Sequence, residues 1–395
     1  MPTQNRFCHQ NYPTQPAVPP SFHKLSAAAA ADGQFSGLHT DFGVREVIVV
    51  HGTFMGEDSF AVADVLETIA DGAPLLQAPL SAVAERIRER LRPMTNWITQ
   101  DIGNYTNAFC SEFQRLVGHD PAVRLLNPTW SGQNHHQARA DLAVRLLCRL
   151  NDLQPGPDER ILLWGHSHAG NGFALLSNLL ANEPAAVRRF FDAAGPRSTA
   201  HWEQARAILD AAPTPHPWAS RILIASFGTP VRYGWDSDGY KQLLHVLHHR
   251  NYDPDNRFCT RPMYPPHSMA DTLSARYGDW VQAFAIAGTD IVPPTAQSAN
   301  EALNVLLEAG LKEPEHDLDT RFILPRRVGT ACARWKTGTR CHADGQNLLV
   351  EYEPCGRLTP LGTPIEESIL GHGVATTIDW LPAHLDLVLN ALPVP

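Results

Sequence analysis

The residues whose types and spacing could support chemistry are centred on Ser167, in the stretch ILLWGHSHAGNGFA. The apolar residues at its start predict a strand, and helix-like sequence follows from Asn171. A serine on a tight turn between a strand and a helix needs small neighbours two positions before and after it. Gly165 and Ala169 occupy those positions. The stretch therefore predicts a nucleophilic serine at the start of a helix, whose N–H groups favour a developing oxyanion.

Three further segments accompany this one in chain order: HGTF at residues 51–54, GTDIVPP at 288–294 and GHG at 371–373. With them, the chain from Val44 to the C-terminus resembles the α/β-hydrolase superfamily, in particular its bacterial esterase and lipase-like members. Ala169 stands where the family's motif usually ends in glycine.

The resemblance implies a Ser-Asp-His triad with Ser167 as nucleophile, Asp290 as acid and His372 as base. It assigns the oxyanion hole to the backbone N–H groups of Thr53 and His168. Asp236 is the main rival for the acid, since some lipases carry that residue one strand earlier. Asp317 and Asp319 are weaker candidates, and His384 is placed on the last helix rather than in the site.

The elements that must position these residues alternate along the chain. Alternating strands and helices predict an α/β fold with a doubly wound, mostly parallel sheet. Strands are predicted at Val47–Val50, Val123–Leu126, Arg160–Trp164, Ile222–Ser226 and Val281–Ala287. Helices are predicted at Ser81–Leu91, Asn107–Leu116, Ala138–Leu150, Asn171–Leu180 and Leu381–Leu392.

The domain boundaries follow from changes in composition. Residues 1–43 are rich in Pro, Ala and polar residues and predict an extended or weakly ordered arm. Residues 44–395 form the predicted α/β-hydrolase domain. Within it, the aromatic- and Pro-rich stretch 231–279 predicts an insertion that serves as a cap or lid, with an irregular surface insertion as the alternative. Residues 321–352 predict a small β-hairpin excursion.

Composition narrows the partners and the compartment. A net charge of −9 and a pI near 6.1 argue against binding to nucleic acid or an anionic membrane. No basic-then-apolar leader and no run of about 18 apolar residues is present, which predicts a cytoplasmic protein and leaves export by a non-classical route open. The seven cysteines form no CxxC pair, and the histidine pairs lack companions at metal spacing, so no metal site is predicted. A disulfide among Cys332, Cys341 and Cys355 stays open.

The resemblance implies a serine hydrolase that cleaves carboxylic esters through an acyl-enzyme intermediate and needs no cofactor. Its substrate would be a small-molecule ester or a lipid, met by transient contact with a lipid surface, so lipase, phospholipase and carboxylesterase remain open. An acyltransferase with the same triad and a non-catalytic α/β-hydrolase-like binding protein are the alternatives. Acyl preference and oligomeric state are not predicted.

Overall fold

The sheet that organises this chain is parallel throughout. The computed structural model describes residues 7, 16–53, 55–56, 77–79, 81–86, 101–153, 156, 158–195, 200–251, 268–286, 290–307 and 340–393. In these residues seven strands form one sheet with the order β1-β7-β6-β5-β4-β2-β3, and all neighbouring pairs are parallel. The strands are β1 (Ser21–Leu25), β2 (Val44–Val50), β3 (Arg124–Leu126), β4 (Arg160–His166), β5 (Ile222–Phe227), β6 (Gln242–His248) and β7 (Gln346–Tyr352).

Helices cover both faces of the sheet. Successive side chains of a strand point to opposite faces, so β4 sends Ile161 and Leu163 into one core and Leu162 and Trp164 into the other. The first core also contains the buried faces of helices His136–Asp152, His168–Ala181, Pro184–Ala194, Ala200–Ala211 and Gln297–Leu307. The second contains those of helices Asn107–Leu116 and Leu381–Ala391. The predicted α/β class with a doubly wound parallel sheet is confirmed.

Besides several 3₁₀ turns, the described residues contain short α-helical segments. They are Leu38–Phe42, Met269–Leu273, Trp280–Ile286 and the turn Ser368–Gly371, and residues 77–79 and 81–86 are helical as well. The predicted helix Asn107–Leu116 is found with the same bounds. Of the predicted helix Ser81–Leu91, residues 81–86 are helical and 87–91 lie outside the described residues. The other predicted helices and strands differ by a few residues at their ends, with one exception.

The exception is the predicted strand Val281–Ala287, which is wrong. Trp280–Ile286 is a helix, and the Asp279 side chain accepts a hydrogen bond from the Gln282 N–H at 2.7 Å. An aspartate followed three residues later by glutamine is a pattern typical of a helix start. A short apolar run such as this one fits either a helix or a strand, and the cap on the first turn favours the helix.

Two predicted excursions contain strands of the central sheet. β6 lies inside the predicted insertion 231–279, and β7 lies inside the predicted hairpin excursion 321–352. Residues 242–248 and 346–352 are therefore core structure rather than a lid or a hairpin. The remainder of both stretches includes residues 252–267 and 321–339, which lie outside the described residues. β1 lies in the predicted N-terminal arm, where an extended segment pairs in parallel with β7.

Three questions from the sequence concern a membrane helix, a metal site and a disulfide. In the described residues no helix combines the length and the apolar character that crossing a membrane requires. Across the same residues no group of three or more His, Cys, Asp or Glu side chains is arranged to hold a metal ion. Cys355 is a free thiol, so it takes part in none of the disulfides considered above; Cys332 lies outside the described residues.

Candidate active site

Ser167 lies between the end of β4 and the first residue of helix His168–Ala181. Its backbone has φ 56° and ψ −131°, a conformation that a serine rarely adopts. Three hydrogen bonds hold it there. The Ser167 N–H donates to the Phe227 carbonyl at 2.7 Å, and the Ser167 carbonyl accepts from the Thr229 hydroxyl at 2.9 Å and from the Gly170 N–H at 3.1 Å. Strain held in place by its surroundings is typical of functional turns.

Close packing of β4 against the following helix explains the small residue before the serine. A Cβ atom on Gly165 would lie 2.3 Å from the Phe173 ring, so no side chain fits there. Ala169, on the other side, is fully buried. The predicted requirement for a small neighbour is confirmed at Gly165.

The loop after β2 lies directly against Ser167. A Cβ atom on Gly52 would lie 2.7 Å from the Ser167 Cβ, and Thr53 is the next residue along this loop. Trp130 supports the loop, since its indole N–H donates to the His51 carbonyl at 2.9 Å. His168 is the first residue of its helix, where N–H groups have no intrahelical acceptor. The two residues predicted for an oxyanion hole therefore sit on the two main-chain segments that adjoin Ser167.

His372 has a carboxylate partner, and that partner is Asp279. The His372 Nδ1 donates to the Asp279 Oδ2 at 2.6 Å, while the Asp279 Oδ1 accepts from the Gln282 N–H at 2.7 Å. The backbone N–H of Asp279 donates to the His248 carbonyl at 3.1 Å, which ties the aspartate to the end of β6. Both side chains are buried, with residue exposures of 6% for His372 and 1% for Asp279. The Asp279 carboxylate is fixed by the Gln282 N–H and orients the His372 imidazole, as the acid of a catalytic triad does.

The end of β5 brings the serine and the histidine together. Phe227 accepts the Ser167 N–H, and a Cβ atom on the next residue, Gly228, would lie 2.8 Å from the Asp279 Oδ2 and 3.2 Å from the His372 Nδ1. The ring of His166, the neighbour of the serine, lies against the His372 ring, with centroids 4.3 Å apart and planes tilted by 40°. Ser167, His372 and Asp279 therefore cluster at the carboxyl ends of β4, β5 and β6, where ligands bind to parallel α/β sheets.

The structure does not bring Asp290, the predicted acid, to His372. Its carboxylate accepts two hydrogen bonds from Arg232, at 2.7 and 2.9 Å, and one from Arg139 at 2.8 Å. The His136 Nε2 lies 3.3 Å from it. Burial alone would raise the pKa of Asp290, but the guanidinium groups of Arg232 and Arg139 hold that pKa well below its usual range. Asp290 is thus the buried counter-ion of an arginine pair.

Asp236, the rival candidate, has a structural contact as well. Its Oδ1 accepts from the Asp238 N–H at 3.1 Å, which caps a short 3₁₀ helix. The partner of His372 was therefore missed from sequence. The signal that could have found it is the Asp279-to-Gln282 spacing, because it marks a helix start directly after the Tyr277-Gly278 turn.

The histidines on either side of Ser167 are neutral supports. Burial lowers the pKa of His166 and of His168 well below the usual value, so neither carries a charge near pH 7. The His168 Nδ1 lies 3.2 Å from the Asn171 side-chain amide, and the His166 Nε2 lies 3.1 Å from the His372 carbonyl. That neither of them is the base stays a prediction.

Comparisons of the chain with protein-family models, with curated protein sequences and with solved structures found no match. What the site does must therefore be inferred from its own geometry.

Proposed function

We propose that the chain is a serine hydrolase of the α/β-hydrolase superfamily that cleaves carboxylic esters through an acyl-enzyme intermediate. The observation that carries the proposal is the 2.6 Å hydrogen bond from His372 to Asp279 beside a serine held at φ 56°. The chain order of serine, aspartate and histidine is the order of this superfamily, now with Asp279 as the acid.

The chemistry begins with the serine proton. With its Nδ1–H held by Asp279, the His372 ring carries its free lone pair on Nε2, which accepts the proton of the Ser167 hydroxyl. The Ser167 oxygen attacks the ester carbonyl carbon, and the carbonyl π electrons move onto its oxygen. The buried Asp279 carboxylate stabilises the imidazolium that forms on His372.

The charge that develops on the substrate needs donors. The backbone N–H groups of Thr53 and His168 lie on the segments that adjoin Ser167, and they would hold the oxyanion of the tetrahedral intermediate. Collapse of this intermediate breaks the bond to the alcohol, which leaves with the proton from His372. Water, deprotonated by the same histidine, then releases the carboxylic acid.

An apolar acyl group is favoured by the residues near His372. A Cβ atom on Gly103 would lie 3.0 Å from the Ile369 Cδ1 and 3.8 Å from the Met55 Cε, and the Gly103 N–H donates to the Gly373 carbonyl at 3.2 Å. Aliphatic side chains therefore gather next to the residue that follows His372. Such a lining supports an ester of a fatty or otherwise apolar acid.

Labelling with a fluorophosphonate tests the proposal. The wild-type protein is expected to form a covalent adduct at Ser167 and to hydrolyse p-nitrophenyl butyrate, because both reactions need an activated serine. The variant Ser167→Ala is expected to lose both. Mass spectrometry of the labelled peptide identifies the site, and added butanol as acceptor separates hydrolysis from acyl transfer by the product formed.

Ser177→Ala is the matched control. Ser177 lies on the same helix, is equally buried and donates to the Ala174 carbonyl at 2.7 Å. This variant should keep both the adduct and the hydrolysis rate. A wild-type protein that is folded yet takes no label at Ser167 would point to the non-catalytic binding protein instead.

A further inference from the structure

The turn that carries His372 has an unusual backbone. Ile369 (φ 47°, ψ 49°), Leu370 (φ 56°, ψ 35°) and Gly371 (φ 84°) are consecutive residues in the left-handed region. Only glycine visits this region without steric cost, and a β-branched residue such as isoleucine is among the least suited to it. Surrounding contacts must therefore hold the turn immediately before the base.

Two buried histidines make such contacts on adjacent carbonyl groups. The His166 Nε2 lies 3.1 Å from the His372 carbonyl oxygen, and the His248 Nδ1 lies 2.7 Å from the Gly371 carbonyl oxygen. A carbonyl oxygen only accepts, so each of these ring nitrogens carries a hydrogen and donates. His166 ends β4 and His248 ends β6, so the turn is held from two strands of the sheet.

The contact between the His166 and His372 rings gives this arrangement a second effect. Their ring centroids lie 4.3 Å apart, so a charge on one ring would be felt by the other. Burial lowers the pKa of both His166 and His248 well below the usual value, so both rings are neutral near pH 7. A neutral neighbour leaves His372 able to take up the serine proton.

We propose that His166 and His248 are positioning residues, which hold the strained turn 369–372 so that the His372 ring keeps its place between Asp279 and Ser167. The inference rests on the proposed function, because it assigns His372 the part of base. It adds two residues that hold the main chain of the base, one of which, His166, also lies against its ring.

The experiment exploits which ring nitrogen each histidine uses. A glutamine amide nitrogen matches the position of Nε2 and an asparagine amide nitrogen that of Nδ1. His166→Gln and His248→Asn therefore keep the donor in place, whereas His166→Asn and His248→Gln misplace it. All four substitutions put an amide into a buried site. The matched and misplaced variants at each histidine should therefore lower the free energy of unfolding by similar amounts.

The misplaced-donor variants are expected to lose roughly 10- to 100-fold in kcat for p-nitrophenyl butyrate, with KM within about twofold, because a displaced base slows the chemical step more than binding. The matched-donor variants should stay within about fivefold of wild type. His216→Leu is the control for a buried histidine away from the turn, since the His216 Nδ1 accepts from the Trp218 N–H at 3.2 Å. It should lower the unfolding temperature and leave kcat unchanged.

Equal kcat values for the matched and misplaced variants at both positions, each normalised to the folded fraction, overturn the inference. Proton NMR supplies a readout that needs no catalysis, namely the downfield signal of the His372 Nδ1–H. It should persist in the matched variants and shift or vanish in the misplaced ones, and an unchanged signal in all four also overturns the inference. If Ser167→Ala left the ester hydrolysis unaltered, the proposed function would fail, while the NMR comparison would still decide the role of the two histidines.

Discussion

The variant Asp279→Asn is expected to lower kcat by about 10³- to 10⁴-fold, because the asparagine cannot satisfy both donors that face it. The Asp279 carboxylate accepts from His372 through Oδ2 and from the Gln282 N–H through Oδ1. Asparagine has one oxygen. If that oxygen stays with Gln282, the amide N–H₂ faces Nδ1 of His372, the ring takes its other tautomer, and Nε2 no longer accepts a proton.

The magnitude follows from the cost of turning the amide over. With the oxygen facing His372, the introduced amide N–H₂ meets the Gln282 N–H, so the helix cap is lost and both buried donors are unsatisfied, which costs roughly 3 to 4 kcal/mol. Each 1.4 kcal/mol is tenfold, so roughly one molecule in 10² to 10³ has the productive tautomer. A neutral amide also stabilises the imidazolium less than a carboxylate does, which adds about another tenfold. The total agrees with the loss of about 10⁴-fold that an Asp-to-Asn change costs in a serine triad.

The companion variant Asp290→Asn is expected to behave differently. It removes the counter-ion of Arg139 and Arg232 and should lower the free energy of unfolding by roughly 3 kcal/mol. The folded fraction should keep kcat within about tenfold of wild type, because Asp290 does not contact His372. Initial rates with p-nitrophenyl butyrate and urea unfolding curves of both variants provide the comparison.

Opposite behaviour of the two variants would refute this reasoning. If Asp290→Asn abolished hydrolysis at unchanged stability, while Asp279→Asn kept more than a tenth of the wild-type kcat, the acid would be Asp290 after all. Loss of activity in both variants without loss of structure would show that the arginine pair also takes part in the reaction.

Two further predictions concern stability. Ser167→Gly should be more stable than Ser167→Ala by roughly 1 kcal/mol, because glycine adopts the positive φ of this turn without steric cost; equal urea midpoints for the two variants would contradict this. Burial lowers the pKa of His342 to about 4, so between about pH 6.5 and pH 4 the unfolded chain holds a proton that the folded one lacks. Stability from this group is therefore complete above about pH 6.5 and lost as the pH falls, by up to roughly 3 kcal/mol. His342→Gln, which can keep the donor to the Thr229 carbonyl, should show a correspondingly smaller loss of stability in urea titrations at pH 7 and pH 4.5.

The local sequence pattern could predict some parts of the site. In these parts, residues that are close in sequence are also close in space. β4, Ser167 and the helix after it follow from one apolar run and the small residues around the serine. His372 follows from its two flanking glycines and the amphipathic helix after it. In both cases the constraint is contained within about 20 residues.

The carboxylate partner of His372 could not be found in this way, because finding it requires deciding between a helix and a strand for the seven-residue apolar run 281–287. Interpreting residues 281–287 as a strand moved the expected acid loop downstream to Asp290. Arg232 and Arg139, which bind the Asp290 carboxylate, lie 58 and 151 residues away in sequence, so the local sequence pattern does not reveal them. β6 was missed for a related reason. Its histidines broke the apolar pattern, yet they are buried by distant partners, as in the stack of His245 on His342.

The pairing of β1 with β7 affects how the chain can fold during its synthesis. Ser21 pairs with Leu348, so β1 is synthesised well before β7, the strand beside which it lies. Until β7 has been made, β6 lacks its β7 neighbour in the described sheet, and that edge is unpaired. Such an edge is a template for pairing with other chains. The completed β1 then covers the outer edge of β7, and a shortened chain that starts at residue 26 would leave that edge open to aggregation.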